Sequence, residues 1–176
     1  MSPLTDVPWP PEPITTDRLI LRATNTSDRG GYLELFSSDD VGQYVGGAQD
    51  RQELERIIPP IPGNRTGVFA VELCGEFIGF VSLDRRDLDV PGHIRDSANE
   101  VEIGYMFLPA WWRKGYATEA VAAVLDWSGT HLPSEPIVLC TQSAHHASVR
   151  LAERLGFREV ARFVDYDAEQ WFGVRD

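Results

Sequence analysis

Apolar and polar positions along the chain divide it into short alternating runs and longer helical ones. The clearest boundary lies between Asn99 and Trp127. Glu100-Val101-Glu102-Ile103 alternates as a half-buried strand does, and the run stays rich in β-branched and aromatic residues through Phe107. Pro109 cannot donate to a ladder and ends the strand. From Ala117 the apolar residues recur at helical spacing through Ala120, Val121, Val124, Leu125 and Trp127. Before this unit, Arg18 to Ala23 reads as a strand. A helix capped by Asn25 to Asp28 then runs to about Ser38, and a second, capped by Asp50, stops at Pro59-Pro60. Gly67 to Leu73 and Glu76 to Leu83 form a hairpin about Cys74-Gly75. Residues 84–97 are a polar excursion containing Pro91-Gly92, long enough to suggest a functional role. After the central helix come a buried strand from Pro136 to Thr141 and a helix from Ala147 to Leu155 stopped by Gly156. Two final strands flank Tyr166-Asp167. The pattern predicts a single mixed α/β (α+β) domain over 14–176, with a mostly antiparallel sheet of about six to seven strands and about four helices. Residues 1–13 precede it as a proline-rich arm, anchored by Trp9, that holds five of the twelve prolines.

At 176 residues, 43% apolar and 24% charged, the chain has the size and composition of one well-packed globular domain. No apolar run approaches the ~20 residues of a membrane span, and no signal peptide is read. Cys74 and Cys140 are expected as buried thiols of a reducing compartment, which places the protein in the cytoplasm. A net charge of −11 disfavours nucleic acid and anionic membrane, and suits a cationic partner such as an amine.

Against that acidic background, Trp112-Arg113-Lys114-Gly115-Tyr116 stands at the start of the central helix. Helix starts carry unpaired N–H groups and partial positive charge, so phosphate or pyrophosphate is a natural guest. The same residues also read simply as a turn with a solvated cationic rim.

The run EIGYMFLPAWWRKGYATEA resembles the acyl-CoA-binding segment of the GNAT acetyltransferase superfamily. Thr16 to Arg22 and Ala147 to Phe157 are similar to the ribosomal-protein N-acetyltransferase (RimJ/RimL-like) branch, with Trp112 where the wider family has Arg or Gln. The resemblance implies acetyl-CoA as donor co-substrate and direct N-acetylation of a primary amine, a protein N-terminus or a small cationic amine. No metal is implied. A homodimer is common among the resembled proteins, and a larger acyl donor or a non-catalytic acyl-CoA-binding or regulatory domain are the alternatives it leaves.

It also implies roles for particular residues. The strand would splay near Gly104 to Phe107, so that Met106, Phe107 and Leu108 meet the acetyl and pantetheine portions through the N–H groups of Met106 and Leu108. Gly104 within a strand independently suggests a bulge or a close backbone approach. Arg113, Lys114, Gly115, Tyr116, Ala117 and Thr118 would hold the pyrophosphate. His145, Ser148 and Arg150 of the C-terminal motif would complete the donor site, His145 standing where the family often has Asn. Tyr44 lies among elements that wall the acceptor site in the family, though it reads equally as a core aromatic. Glu100 and Glu102 share a strand face, so they would raise one another's pKa, with Glu102 the better base. The family's tyrosine acid is replaced by Ala152, leaving Ser148 as a proton relay. Adjacent His145-His146 lack a spaced third ligand and make a poor metal site. Cys140, within an apolar strand, reads as inert packing.

Overall fold

The computed structural model describes residues 2–5, 7–96 and 99–176; Met1 and Asp6 of the predicted arm and Ser97 of the predicted excursion lie outside them. Among the described residues the strands are β1 Ser2–Pro3, β2 Ile14–Thr15, β3 Ile20–Ala23, β4 Val68–Leu73, β5 Glu76–Arg85, β6 Val101–Phe107, β7 Ile137–Gln142, β8 Arg158–Asp165 and β9 Ala168–Arg175. The helices are α1 Arg29–Ser37, α2 Asp39–Gly42, α3 Arg51–Ile57, α4 Tyr116–His131 and α5 His146–Arg154. The predicted order holds. The sheet gains two short strands, β1 from the N-terminal arm and β2 just after it, and the helix count gains α2, whose four residues are too few to show a period.

The strands lie in the order β2-β3-β4-β5-β6-β7-β9-β8, with β1 added beside β5. Every pairing is antiparallel except β6 with β7, which α4 connects. Two-residue turns with positive φ at both positions close the hairpins: Cys74-Gly75 at 51° and 85°, Tyr166-Asp167 at 50° and 58°. Cys74 is therefore exposed at a turn and not buried, because the turn geometry and not its apolar character decides its place.

One face of the sheet packs under α4 and α5 through Val121, Val124, Leu125, Leu151 and Trp171. The other packs under α1 through Tyr32, Leu35, Phe77 and Leu108. Leu4 of the arm is buried in the main core, and Trp9 meets Phe69 and Trp127 edge-on at 5.1 and 6.5 Å. Arg22 of β3 forks fully buried Asp28 with two bonds of 2.9 Å and reaches Glu72 at 2.8 Å. Asp28 also accepts the N–H of Asn25, so one carboxylate fixes both the start of α1 and its seat on the sheet. Among the described residues, no helix is long and apolar enough to cross a membrane.

Candidate active site

The parallel pair β6–β7 holds only at Val101–Ile137 and Glu102–Val138. Beyond these two rungs the strands separate, while β6 stays in register with β5 from Val101–Arg85 through Phe107–Gly79. No bulge interrupts that ladder at Gly104; the glycine instead admits Ser82, whose Oγ would lie 3.2 Å from an added Cβ. The gap is a divergence between neighbouring strands and not a kink within one.

Strand geometry decides which N–H groups face the gap. The Leu108 N–H is spent on the Ile78 carbonyl at 3.0 Å, on the β5 side. Backbone groups alternate sides along a strand, so Met106, opposite Phe80, also turns toward β5. The expectation for the N–H groups of Met106 and Leu108 is therefore corrected: Tyr105 and Phe107 are the residues whose backbone faces the gap. The Phe107 carbonyl on that side accepts the Trp112 indole N–H at 2.6 Å. Trp112 thus ties the loop to the end of β6, which accounts for an aromatic residue at this position.

Beyond β6 the chain makes a short 3₁₀ turn and then enters α4. Arg113 has φ 60° and Gly115 φ 84°, both left-handed. Backbone of this kind turns N–H groups toward a common concavity that accepts anions. Gly115 brings no side-chain cap, so the first-turn N–H groups of α4 remain free for a ligand. Arg113, Tyr116, Ala117 and Thr118 surround this point; the Lys114 ammonium turns back to the Ala110 carbonyl at 2.9 Å and lies over the Trp111 ring. Arg18, for which sequence reading had no role, also arrives here from the turn between β2 and β3 and donates to the Lys114 carbonyl at 3.0 Å.

The two candidate carboxylates sit in different settings. Glu100, fully buried, accepts the N–H groups of Ile94 at 2.8 Å and Arg95 at 3.1 Å and pairs with His93 Nδ1 at 2.8 Å. Burial pushes its pKa up, but these bonds outweigh burial and hold it below the ordinary range. Glu102 pairs with buried Arg86 at 2.5 Å and lies directly across from Asp84, which Arg65 forks. Burial raises the Glu102 pKa; Arg86 opposes that and Asp84 adds to it. The carboxylate that reinforces Glu102 is therefore Asp84 on the next strand, not Glu100, whose own pKa moves the other way. Arg86 also donates to the carbonyls of Gly92 (2.7 Å) and Pro91, and lies over Phe172, so the Pro91-Gly92 part of the excursion is pinned to the sheet.

Across the gap, α5 brings Ser148 to Tyr105, their hydroxyl oxygens 2.7 Å apart. Burial lifts the Tyr105 phenol to about 12, so it keeps its proton throughout the physiological range. Sequence reading missed Tyr105; its alternation with Ile103 and Phe107 places it on the helix-covered face, but not against Ser148. His145 stacks on Tyr44 at 4.3 Å and 11°, which joins the α2–α3 segment to the start of α5. Burial, then neighbouring His146, lowers the His145 pKa. Arg150 is exposed on α5, and Ala152 is wholly buried in the core. Cys140 is half-buried, and burial raises its thiol to about 11, as inert packing requires. Among the described residues no His, Cys, Asp and Glu cluster suits a metal ion.

The gap between the diverging strands ends at the uncapped helix start, where partial positive charge favours an anion. Residues 18–158 match the family described as acetyltransferase (GNAT) domain. The uncharacterized N-acetyltransferase YoaA of Bacillus subtilis is 30% identical over 159 residues, 83% of this chain and 82% of that protein. A GNAT-family acetyltransferase from Bacillus anthracis superposes with a TM-score of 0.75 at 22% identity, covering 93% and 98% of the two chains. RimL, a ribosomal L7/L12 alpha-N-protein acetyltransferase in complex with coenzyme A, superposes with a TM-score of 0.72 at 16% identity, covering 93% and 97%. The chain belongs to the GNAT acetyltransferase family. It has the fold of that family in full, and its likeness to RimL is one of fold.

Proposed function

We propose that the protein is an acetyl-CoA-dependent N-acetyltransferase of RimJ/RimL-like type that acetylates a primary amine directly, in a ternary complex. The observation that carries this reading is the two-rung β6–β7 pairing that opens toward the uncapped start of α4. Acetyl-CoA supplies the activated acyl group and, in its pyrophosphate, the anion that this helix start suits. The loop from Arg113 through Thr118 would hold that pyrophosphate by backbone N–H groups, with Thr118 adding a hydroxyl and Arg113 and Lys114 raising the potential. Arg150 adds charge at the exposed rim of α5. His145, neutral because its pKa is lowered, offers one ring N–H where the family often has Asn.

The backbone N–H groups of Tyr105 and Phe107 are the donors available to a carbonyl oxygen lying in the gap. Glu102, raised by burial, takes the proton of the incoming ammonium, directly or through one water. Asp84 beside it favours a cationic acceptor. Ser148, backed by the Tyr105 phenol, supplies a proton to the departing sulfur and replaces the acid lost at Ala152. Tyr44 forms part of the acceptor wall. Glu100 holds the 92–95 segment and has no contact left for a substrate.

The test is calorimetric titration with acetyl-CoA of the wild type and Gly115→Trp, followed by an amine panel with thiol-release detection. Binding by the wild type alone, with release on a cationic amine, is the expected result. A folded wild type that binds no acetyl-CoA overturns the reading, and binding without turnover on a broad panel leaves only a donor-binding domain. Turnover of Glu102→Gln that matches wild type at every pH removes Glu102 as base.

A further inference from the structure

The start of α4 carries a carboxylate where its proposed ligand needs none. Glu119 lies in the first turn of the helix, four residues beyond Gly115. An unneutralised carboxylate there competes with a bound anion for the same helix-end potential and repels it. Burial works against ionisation of Glu119, but hydrogen bonds from Thr16 and Arg18 outweigh it and hold the carboxyl below its ordinary range. The group is therefore charged whenever the protein is near neutrality.

Its neutralisation comes from a segment about a hundred residues away. Thr16 Oγ1 donates to Glu119 at 2.5 Å, and the Arg18 backbone N–H donates at 3.0 Å. The Arg18 guanidinium meets the same carboxylate through Nε at 2.7 Å and Nη2 at 2.6 Å. Its Nη1 reaches the Lys114 carbonyl at 3.0 Å, and its plane lies 4.4 Å from the centre of the Tyr116 ring. Arg18 Nη2 would also stand 3.3 Å from a Cβ placed on Gly115, so the guanidinium sits against the turn itself.

We propose that Arg18 is a positioning residue for the donor site: it cancels the charge of Glu119 and fixes the Lys114–Gly115 turn, so that the helix start accepts a pyrophosphate. This rests on the reading of that loop as the acyl-CoA site. Arg18 directs one N–H each of Nε, Nη1 and Nη2 to Glu119 and the turn carbonyl, as neutralisation requires, and the double variant below separates this role from direct phosphate binding.

Calorimetric titration with CoA at two salt concentrations tests it, using wild type, Arg18→Gln, Glu119→Gln and the double variant, each checked for folding by thermal melting. Arg18→Gln is expected to weaken CoA binding about five- to tenfold at low salt and less at high salt. The double variant is expected to recover most of that loss, because the uncompensated carboxylate is gone. In turnover assays the loss should appear in the donor KM, with kcat kept. Arg18→Gln binding as wild type does, or a double variant as weak as Arg18→Gln, overturns the proposal while leaving the donor site in place. A wild type that binds no CoA overturns both.

Discussion

Replacing Arg86 by Met removes the partner of Glu102 while filling much of the same volume. Both side chains are nearly enclosed, at 5% and 10% exposure, and they meet at 2.5 Å. The arginine also holds the Gly92 and Pro91 carbonyls, so its loss frees that turn as well. Removing one partner of a buried pair costs about 3–5 kcal/mol, because the charge left behind has neither water nor counter-ion. For a domain of this size that is a fall in melting temperature of roughly 6–20 °C, at about 2–4 °C per kcal/mol.

The pH dependence separates charge from packing. Burial already holds the folded Glu102 pKa above its unfolded value, and losing Arg86 raises it further. Between the unfolded and the folded pKa the native state binds more protons than the unfolded state, so stability falls as pH rises. The deficit of Arg86→Met should therefore be smallest below about pH 4, near the ordinary glutamate value. It should grow as pH rises through the folded pKa. Urea unfolding of wild type, Arg86→Met and Arg86→Met/Glu102→Gln at several pH values from 4 upward measures it. The double variant should regain much of the loss at neutral pH. A deficit that does not change with pH, or a double variant as unstable as the single one, would refute the reasoning and make Arg86 a packing and loop residue only. In the same variant the acidic limb of kcat/KM should move to higher pH, because the proposed base holds its proton longer.

Three further outcomes are expected. Tyr105→Phe and Ser148→Ala should each lower kcat about tenfold with donor KM little changed, and the pair should cost no more than either alone, as groups acting as a unit do; unaltered kcat in both variants would remove them from the reaction. Asp28→Ala should destabilise by about 3 kcal/mol in urea unfolding, because it strips half-buried Arg22 of its forked partner and the Asn25 N–H of its acceptor. Gly79→Ala should cost about 2 kcal/mol, since its Cβ would fall on the Met106 carbonyl, whereas Gly30→Ala, with nothing within 4 Å, should be neutral or stabilising by roughly 0.5–1 kcal/mol.

The fold was legible in the chain because its elements are set locally: Asn25 and Asp50 as caps, Gly156 as a stop, Cys74-Gly75 and Tyr166-Asp167 as turns. The loop before the central helix was legible for the same reason, since Gly115 stands between a strand period and a helix period. The misses are contacts made across distance. Alternation placed Glu100 and Glu102 on one face but could not show that a returning loop encloses the first and Arg86 pairs the second. Likewise, the direction of the Leu108 N–H depends on whether β5 or β7 stays alongside, which no local pattern records. Arg18 with Glu119, and Tyr105 with Ser148, are partners only once the sheet is assembled.

The seam between β6 and β7 has a consequence for how such a protein changes over time. Past its two rungs, the contacts that reach toward the far side are side chains: Tyr105 meeting Ser148, and Tyr44 meeting His145. Single substitutions at these four positions can widen, narrow or recharge the opening without removing a rung from any ladder. Under the proposed function, the shape of the opening and the integrity of the sheet are thus separately mutable.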